Sequence, residues 1–123
     1  MGRLIRLELA GKLKEAGLKW EPKRGDWFIR PTGEIVLKYS TGPDSIYGSK
    51  STWLPSLSQL LVEIEARGLM WSLKLLSRPQ YRVILYPKGL SPGGDGSIIF
   101  QADTPEEAAG QALLWALEQE GKA

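Results

Sequence analysis

The sequence contains no cysteine, no histidine and no asparagine. Without cysteine the chain has no disulfide, no thiol nucleophile and no thiolate metal ligand. Without histidine it has neither a Ser-His-Asp triad nor an imidazole ligand for a metal. We therefore expect no cofactor, no metal ion and no enzymatic activity. The lack of Cys and Asn, together with only two Met residues, is also typical of proteins from hot environments.

Long apolar runs and a strong charge of one sign are missing as well. No run approaches the roughly 20 apolar residues that span a bilayer, and residues 1–17 lack the uninterrupted apolar segment of a signal peptide. We therefore expect a cytoplasmic protein with no membrane partner. The net charge of +2 is too small to predict a nucleic-acid partner by itself, although basic residues outnumber acidic ones within residues 1–50.

The composition that remains is that of an ordinary globular domain. Hydrophobic residues make up 42% of the chain and charged residues 24%, which are typical values for a folded protein. A length of 123 residues predicts one domain, residues 1–123, large enough to fold without a disulfide or a metal.

Three segments have the periodicity and end signals of helices. Residues 5–16 carry apolar side chains at helical spacing, and Gly17 follows where a helix-ending glycine belongs. Residues 55–67 are predicted to form the second helix. Ser56 and Gln59 near its start have the spacing of a capping box, and Gly68 follows where the helix should end. Residues 103–121 begin with Thr104 as the N-cap and Glu107 three positions later, which predicts a second capping box.

The strands are predicted from residue alternation and turn signals. Residues 26–40 are typical of a β-hairpin whose turn contains Pro31 and Gly33. Residues 69–76 and 81–87 alternate, with Trp71 on one face of the first strand and Val83 on one face of the second. Residues 97–102 form a last strand. Because short links join consecutive strands, the sheet should be largely antiparallel.

The predicted fold class is therefore α+β, in the order α-β-β-α-β-β-β-α. It has three helices and a largely antiparallel sheet of about five strands, in a sandwich-like arrangement. Because the strands are apolar on both faces, we expect helices on both sides of the sheet.

The segment GPDSIYGSKS at residues 42–51 contains the letters of a phosphate-binding loop but not its spacing. A P-loop has four residues between its two glycines and a lysine directly after the second. Here five residues separate Gly42 from Gly48, and Ser49 precedes Lys50. The backbone N–H groups and the lysine would then not share a centre, so we exclude nucleotide hydrolysis. Whether the loops at residues 41–53 and 88–97 bind anything is left open.

Carboxylate pairs do not predict a catalytic site. Glu63 and Glu65 should lie on different sides of one helix, and the acidic residues at the start of the last helix are explained by capping. The remaining aspartates are assigned to turns, where this residue type is common; they are Asp26, Asp44 and Asp95.

Two groups of residues are candidates for binding. Aromatic rings interleaved with basic side chains are typical of single-stranded nucleic-acid sites, although the same residues could pack on the sheet with their charges in solvent. This group of candidate nucleic-acid contacts is Lys19, Trp20, Lys23, Arg24, Trp27 and Arg30. The second group lies before the middle helix and is a candidate interaction loop: Ile46, Tyr47, Lys50 and Trp53.

The segments GDWF, WLPSLSQLLVEIEARG and ADTPEEAAGQALLWALE together resemble small proteins of Gram-positive bacteria and their prophages, some of which are described as phage αβα-sandwich domains. The resemblance covers about two-thirds of the chain and leaves the N-terminal helix and the middle loop unmatched. It implies a sandwich of helices and a hairpin-rich sheet and an origin in a mobile element. It carries over no catalytic residue.

We therefore expect a non-enzymatic cytoplasmic domain that acts through protein contacts or self-association. The first alternative is a nucleic-acid-binding accessory protein that uses the basic and aromatic residues of the N-terminal half. The second is an enzyme with carboxylate or lysine chemistry.

Overall fold

A computed structural model of the protein describes residues 5–19, 26–29, 35–37, 52–77, 80–94 and 96–121. It is an α+β fold with three helices and two antiparallel three-stranded sheets. The helices are α1 (Leu7–Glu15), α2 (Leu57–Ala66) and α3 (Pro105–Gly121). The strands are β1 (Trp27–Ile29), β2 (Ile35–Leu37), β3 (Thr52–Leu54), β4 (Leu69–Ser77), β5 (Gln80–Pro87) and β6 (Ile98–Ala102).

The three predicted helices are confirmed, and α1 and α2 have the predicted end signals. The N–H of Leu18 bonds the carbonyl of Leu13, and the N–H of Gly17 bonds that of Lys14, which is the Schellman arrangement around a glycine with φ of 106°. The N–H of Gln59 donates to the Ser56 hydroxyl at 3.2 Å while the Gln59 side chain accepts from the N–H of Ser56 at 2.8 Å. This is a complete capping box.

The capping box predicted for α3 is only half formed. The N–H of Glu107 donates to the Thr104 hydroxyl at 3.1 Å, as predicted. The Glu107 carboxylate, however, accepts from the backbone N–H of Arg6 at 2.7 Å, at the N-cap of α1. A helix N-terminus attracts negative charge, so Glu107, which is only 7% exposed, ties the start of α1 to the start of α3.

The predicted hairpin is present, and β1 also pairs with a strand that the sequence did not predict. Trp27 lies opposite Leu37 in β2 and opposite Leu54 in β3, which makes β1 the centre of the sheet β2-β1-β3. The residues proposed for the hairpin turn, including Pro31 and Gly33, lie outside the described ranges. Strand β3 is followed directly by Pro55 and has only three residues. A segment this short shows no recognisable alternation.

The sheet β4-β5-β6 is a meander with an alternating pattern. Trp71, Leu85 and Ile98 are aligned across it, and Ser72, Ile84 and Ile99 are aligned in the next row, on the opposite face. Val83 and Leu85 are buried at 0% and 1% exposure, and helices α2 and α3 pack on this face of the sheet. In the described part of the chain, no helix packs on the opposite face.

One hydrophobic cluster joins all three helices and both sheets. Helix α3 contributes a stripe of small and aliphatic residues that are almost fully buried, and it packs on β5, β6, α1 and α2. Helix α1 in turn packs on β3. At the crossing of α1 and α3, a Cβ placed on Gly110 would lie 2.6 Å from Cδ2 of Leu9, so the two helices approach as closely as they do because residue 110 is glycine.

Candidate functional site

A cleft of about 570 Å³ opens between the end of α1, the start of β1, strand β3 and helix α2. This volume lies within the range of small-molecule sites in proteins. The residues that line it are Gly17, Lys19, Asp26, Trp53, Ser58, Gln59, Val62, Glu63 and Arg67. It brings together one residue from each predicted binding group, namely Lys19 and Trp53.

Asp26 forms the polar floor of the cleft rather than an exposed turn. It is 4% exposed, and its carboxylate accepts a hydrogen bond from Nε2 of Gln59 at 2.7 Å. The same Gln59 side chain accepts from the N–H of Ser56, so one amide caps α2 and holds Asp26 beside it. The assignment of Asp26 to a turn was wrong. Its burial and its bond to Gln59, 33 residues away, depend on tertiary structure that no local pattern encodes.

Arg67 closes the cleft at the other end of α2. Its Nη1 donates to the backbone carbonyl of Glu63 at 2.8 Å and to the Glu63 carboxylate at 3.1 Å. Its Nε lies 3.2 Å from the Glu120 carboxylate of α3. The pair with Glu120 therefore joins the end of α2 to α3. The Arg67 side chain is only 18% exposed, so little of the guanidinium remains for a ligand.

The two carboxylates that the sequence placed on different sides of α2 have different partners, as expected. Glu63 pairs with Arg67, whereas Glu65 accepts from the indole N–H of Trp71 in β4 at 3.0 Å. They do not converge. Among the described residues there is also no group of three or more carboxylates that could hold a metal ion.

Trp53, Val62 and Lys19 each leave part of their side chain accessible at the cleft. Trp53 lies in strand β3 rather than in a loop, opposite Phe28 of β1. Its indole N–H is buried, without an acceptor in the described ranges, so Trp53 offers the cleft its ring. Val62 is 60% exposed. Lys19 is exposed and has no ion-pair partner within the residues that the structure describes.

The other candidates for nucleic-acid contact are only partly placed. Trp27 is half-buried and packs against the hydrophobic cluster, as the packing alternative predicted. Trp20, Lys23, Arg24 and Arg30 lie outside the described residues, as do Ile46, Tyr47 and Lys50 of the interaction loop. Nucleic-acid binding therefore stays a prediction.

A second candidate surface is the outer edge of β4. The sheet order is β4-β5-β6, so β4 is an edge strand, and no described strand pairs with its outer side. It is nine residues long, the longest described strand. The predicted strand is confirmed, and Trp71 and Leu73 pack together on the hydrophobic cluster. Burial does not alternate along the whole strand, since its last four residues are all exposed. Its edge position follows only from the topology and could not be predicted from the sequence.

The uncovered face of the β4-β5-β6 sheet adjoins this edge. Ile84 and Ile99 lie at its centre, with Met70 and Tyr86 on one side and the pair of Lys74 and Arg82 on the other. Ile99 is 53% exposed. The apolar residues on both faces led us to predict helices on both sides, and the structure places described helices on one side only.

None of the described helices is long and apolar enough to cross a membrane. No protein-family model, no curated protein and no solved structure matches the chain.

Proposed function

We propose that the protein is a non-enzymatic interaction module that self-associates by pairing strand β4 with β4 of a second copy. The observation that carries the proposal is the outer edge of this strand. An edge strand presents a row of unpaired N–H and C=O groups, and natural proteins usually keep such edges short, charged or interrupted by proline.

Strand β4 has few of these protective features. Its sequence, LMWSLKLLS, contains no proline and one charged residue, Lys74. Leu75 and Leu76 at its end are 45% and 38% exposed. A bulge between Leu75 and Ser77 bends only the last residues. The edge of β6 is a weaker candidate because that strand has five residues.

The sequence of β4 is compatible with pairing to itself. Most homodimers have a two-fold axis, and an antiparallel pair of β4 strands centred on Leu73 overlaps all nine residues. Leu75 then lies opposite Trp71 of the second copy, and Lys74 lies opposite Ser72. The two lysines therefore do not face each other, and like charges directly opposite would be destabilising.

Such a pair would join the two β4-β5-β6 sheets into one continuous sheet and remove both exposed edges. Backbone hydrogen bonds would supply the contacts, as they do when an extended segment adds to a sheet edge. The pairing would also place the two uncovered apolar faces side by side.

The implied origin in a mobile element stays a prediction, and the neighbouring genes would test it.

Sedimentation equilibrium over a concentration series tests this proposal. We expect the unmodified chain to form a concentration-dependent dimer and the double variant Leu75→Lys, Leu76→Lys to remain a monomer. Ile99→Lys is the control because Ile99 is also an exposed apolar residue, at 53% exposure, but lies on β6, so this variant should still dimerise. A monomeric unmodified chain at every concentration, or equal loss of the dimer in both variants, would contradict the proposal.

A further inference from the structure

We propose that the uncovered face of the β4-β5-β6 sheet binds an acidic amphipathic helix of a partner protein. This face is distinct from the outer edge of β4. Strand pairing at the edge uses backbone groups that lie in the plane of the sheet, and it leaves both faces of the sheet open. Binding of such a helix is therefore compatible with the monomer and with the β4 dimer alike.

The uncovered face carries a net positive charge, and the strand register places its charges together. Lys74 of β4 lies directly opposite Arg82 of β5, which in turn lies opposite Gln101 of β6. Directly opposite residues have Cβ atoms about 4.5–5.5 Å apart, and like charges in this arrangement repel each other. The rows of the face contain these two cations and no carboxylate; they are Met70 with Tyr86, Ser72 with Ile84 and Ile99, and Lys74 with Arg82 and Gln101.

No carboxylate from outside these rows neutralises the two cations. Neither Lys74 nor Arg82 forms an ion pair in the described part of the chain. With the Gln101 amide turned to accept, Nη2 of Arg82 donates to its oxygen at 3.2 Å, which is a neutral partner. Asp103, two residues beyond Gln101 in the chain, is paired with Arg6 at 3.4 Å. A carboxylate of a second molecule is therefore attracted to Lys74 and Arg82.

Apolar side chains occupy the rows beside the cations. Ile99 is 53% exposed, and Ile84, directly opposite it, is half-buried. Met70 and Tyr86 form the next row and are also half-buried. A partner that covers this face must therefore combine apolar side chains, which gain from burial, with carboxylates at one end.

A helix fits the dimensions of this face. The rows from Met70 to Lys74 extend about 13 Å along the strands, and three strands are about 10 Å wide. A helix of about nine residues is about 13 Å long and has a diameter of about 10 Å. Helices already cover the opposite face of the same sheet, where α2 packs on β4 and α3 packs on β5 and β6. A partner helix would complete a second layer of the same kind.

A single-stranded nucleic acid matches the face less well. Such sites interleave aromatic rings with basic side chains so that bases stack while phosphates are bound. Tyr86 is the one aromatic residue in these rows, and it lies two rows away from Lys74 and Arg82. Trp71 and Phe100 pack against the hydrophobic cluster on the other side of the sheet. The separation of apolar rows from a cationic row favours an acidic amphipathic peptide.

Three labelled peptides test the charge preference on the intact protein. Each has about 14 residues, enough for an isolated helix to form, with leucines at positions i, i+3, i+4 and i+7. They differ at two positions beside one end of the leucine stripe, which are both glutamate, both glutamine or both lysine. We expect the glutamate peptide to bind about tenfold more tightly than the lysine peptide in fluorescence anisotropy, because exposed attractions become repulsions. It should also move the amide signals of Ile84 and Ile99.

Two charge reversals identify the cations that are responsible. Arg82→Glu replaces the like-charge pair by an ion pair with Lys74, so the variant should unfold at no lower urea concentration than the unmodified chain. It should nevertheless lose the preference for the glutamate peptide. Lys12→Glu changes the net charge by the same amount but lies on α1, which packs on α3 and β3, so it should keep the preference.

Four outcomes would overturn the proposal. They are equal binding of the glutamate and lysine peptides, equal effects of the two charge reversals, amide shifts that do not cluster on the uncovered face, and tighter binding of a labelled oligo-dT than of the glutamate peptide. Sedimentation of Arg82→Glu separates this proposal from self-association, because the variant should still form the β4 dimer. Loss of peptide binding without loss of the dimer, or the reverse, distinguishes the two surfaces.

Discussion

The two sheets of this protein differ in strand length and in how much of their apolar surface is buried. The sheet β2-β1-β3 has strands of three residues, and its central residue Phe28 is fully buried. The sheet β4-β5-β6 has strands of nine, eight and five residues, but described helices cover only one of its faces. The shorter sheet thus has its centre enclosed, whereas the longer one retains an apolar face and a long edge.

This difference locates the surfaces on which the protein can act. Trp27 and Ile29 pack against the main hydrophobic cluster, while Phe28 between them points to the other side of β1 and is still 0% exposed. In β5, Leu85 is buried to the same degree, but its neighbour Ile84 is only half-buried. A strand that is enclosed at its centre contributes stability, and a strand with a free face or edge can also contribute contacts to a partner.

The largest expected effect is at Phe28. Phe28→Ala should lower the free energy of unfolding by about 3–5 kcal/mol, the usual loss for a buried Phe, because it removes apolar contacts and leaves a cavity. Ile35→Ala in the same sheet is the control, since Ile35 is 47% exposed and its loss should be below about 1 kcal/mol. Urea denaturation measures both. Similar losses for the two variants would show that the centre of this sheet is not enclosed.

Adjacent residues of β5 compare the two faces of the longer sheet. Leu85→Ala on the helix-covered face should cost about 2–5 kcal/mol. Ile84→Ala on the uncovered face should cost about 1 kcal/mol, because it loses mainly strand propensity and partial burial. The two side chains have the same number of carbon atoms, so thermal or urea unfolding compares burial directly. Equal losses would mean that the uncovered face is covered in solution.

A glycine at the crossing of α1 and α3, Gly110, sharpens the comparison because these helices connect the two sheets. Helix α1 packs on β3, and α3 packs on β5 and β6. Gly110→Ala places a methyl group 2.6 Å from Leu9, and Leu9 is 7% exposed, so it has little room to move. We expect a net loss of about 1 kcal/mol, since overpacking outweighs the gain in helix propensity.

Gly11→Ala is the matched substitution, because a Cβ at Gly11 would meet nothing within 4 Å. It should raise the free energy of unfolding by about 0.5–1 kcal/mol through helix propensity alone. Denaturation curves should therefore shift in opposite directions for the two variants. A gain in stability at both positions would show that α1 and α3 are not held at this close approach.

The parts of the fold that could be predicted from sequence are those set by local signals. The capping box of Ser56 and Gln59, the glycine end of α1 and the alternation of β4 and β5 each depend on residues close together in the chain. The half-formed box at Thr104 shows the limit of such signals, because Glu107 has the right spacing yet bonds the distant Arg6 instead.

Features set by distant contacts were missed. Strand β3 exists because it pairs with β1, more than twenty residues away, and its three residues carry no pattern of their own. The division into two sheets follows from the same pairing. The candidate cleft was not predicted as such. Two of its residues, Lys19 and Trp53, were predicted binding residues but in separate groups, and Asp26 was assigned to a turn. The residues that line the cleft come from the end of α1, the start of β1, strand β3 and helix α2, which are brought together only by the tertiary fold.

The central claim is that two copies pair through β4 in one register, and disulfide trapping tests it most directly because the chain has no cysteine of its own. Ser72→Cys and Lys74→Cys are prepared separately, mixed and oxidised. In the proposed register these positions are directly opposite, with Cβ atoms about 4.5–5.5 Å apart, whereas identical positions are diagonal at about 7–8 Å. A disulfide needs a separation near 3.5–4.5 Å, which small movements reach only from the opposite positions.

We predict that the mixed disulfide between Ser72→Cys and Lys74→Cys forms faster than either homodimeric disulfide. Ile99→Cys, on the far strand of the same uncovered face, should not cross-link with Lys74→Cys. Monomers alone, or mixed and homodimeric products in the statistical ratio, would contradict the pairing of β4 with itself.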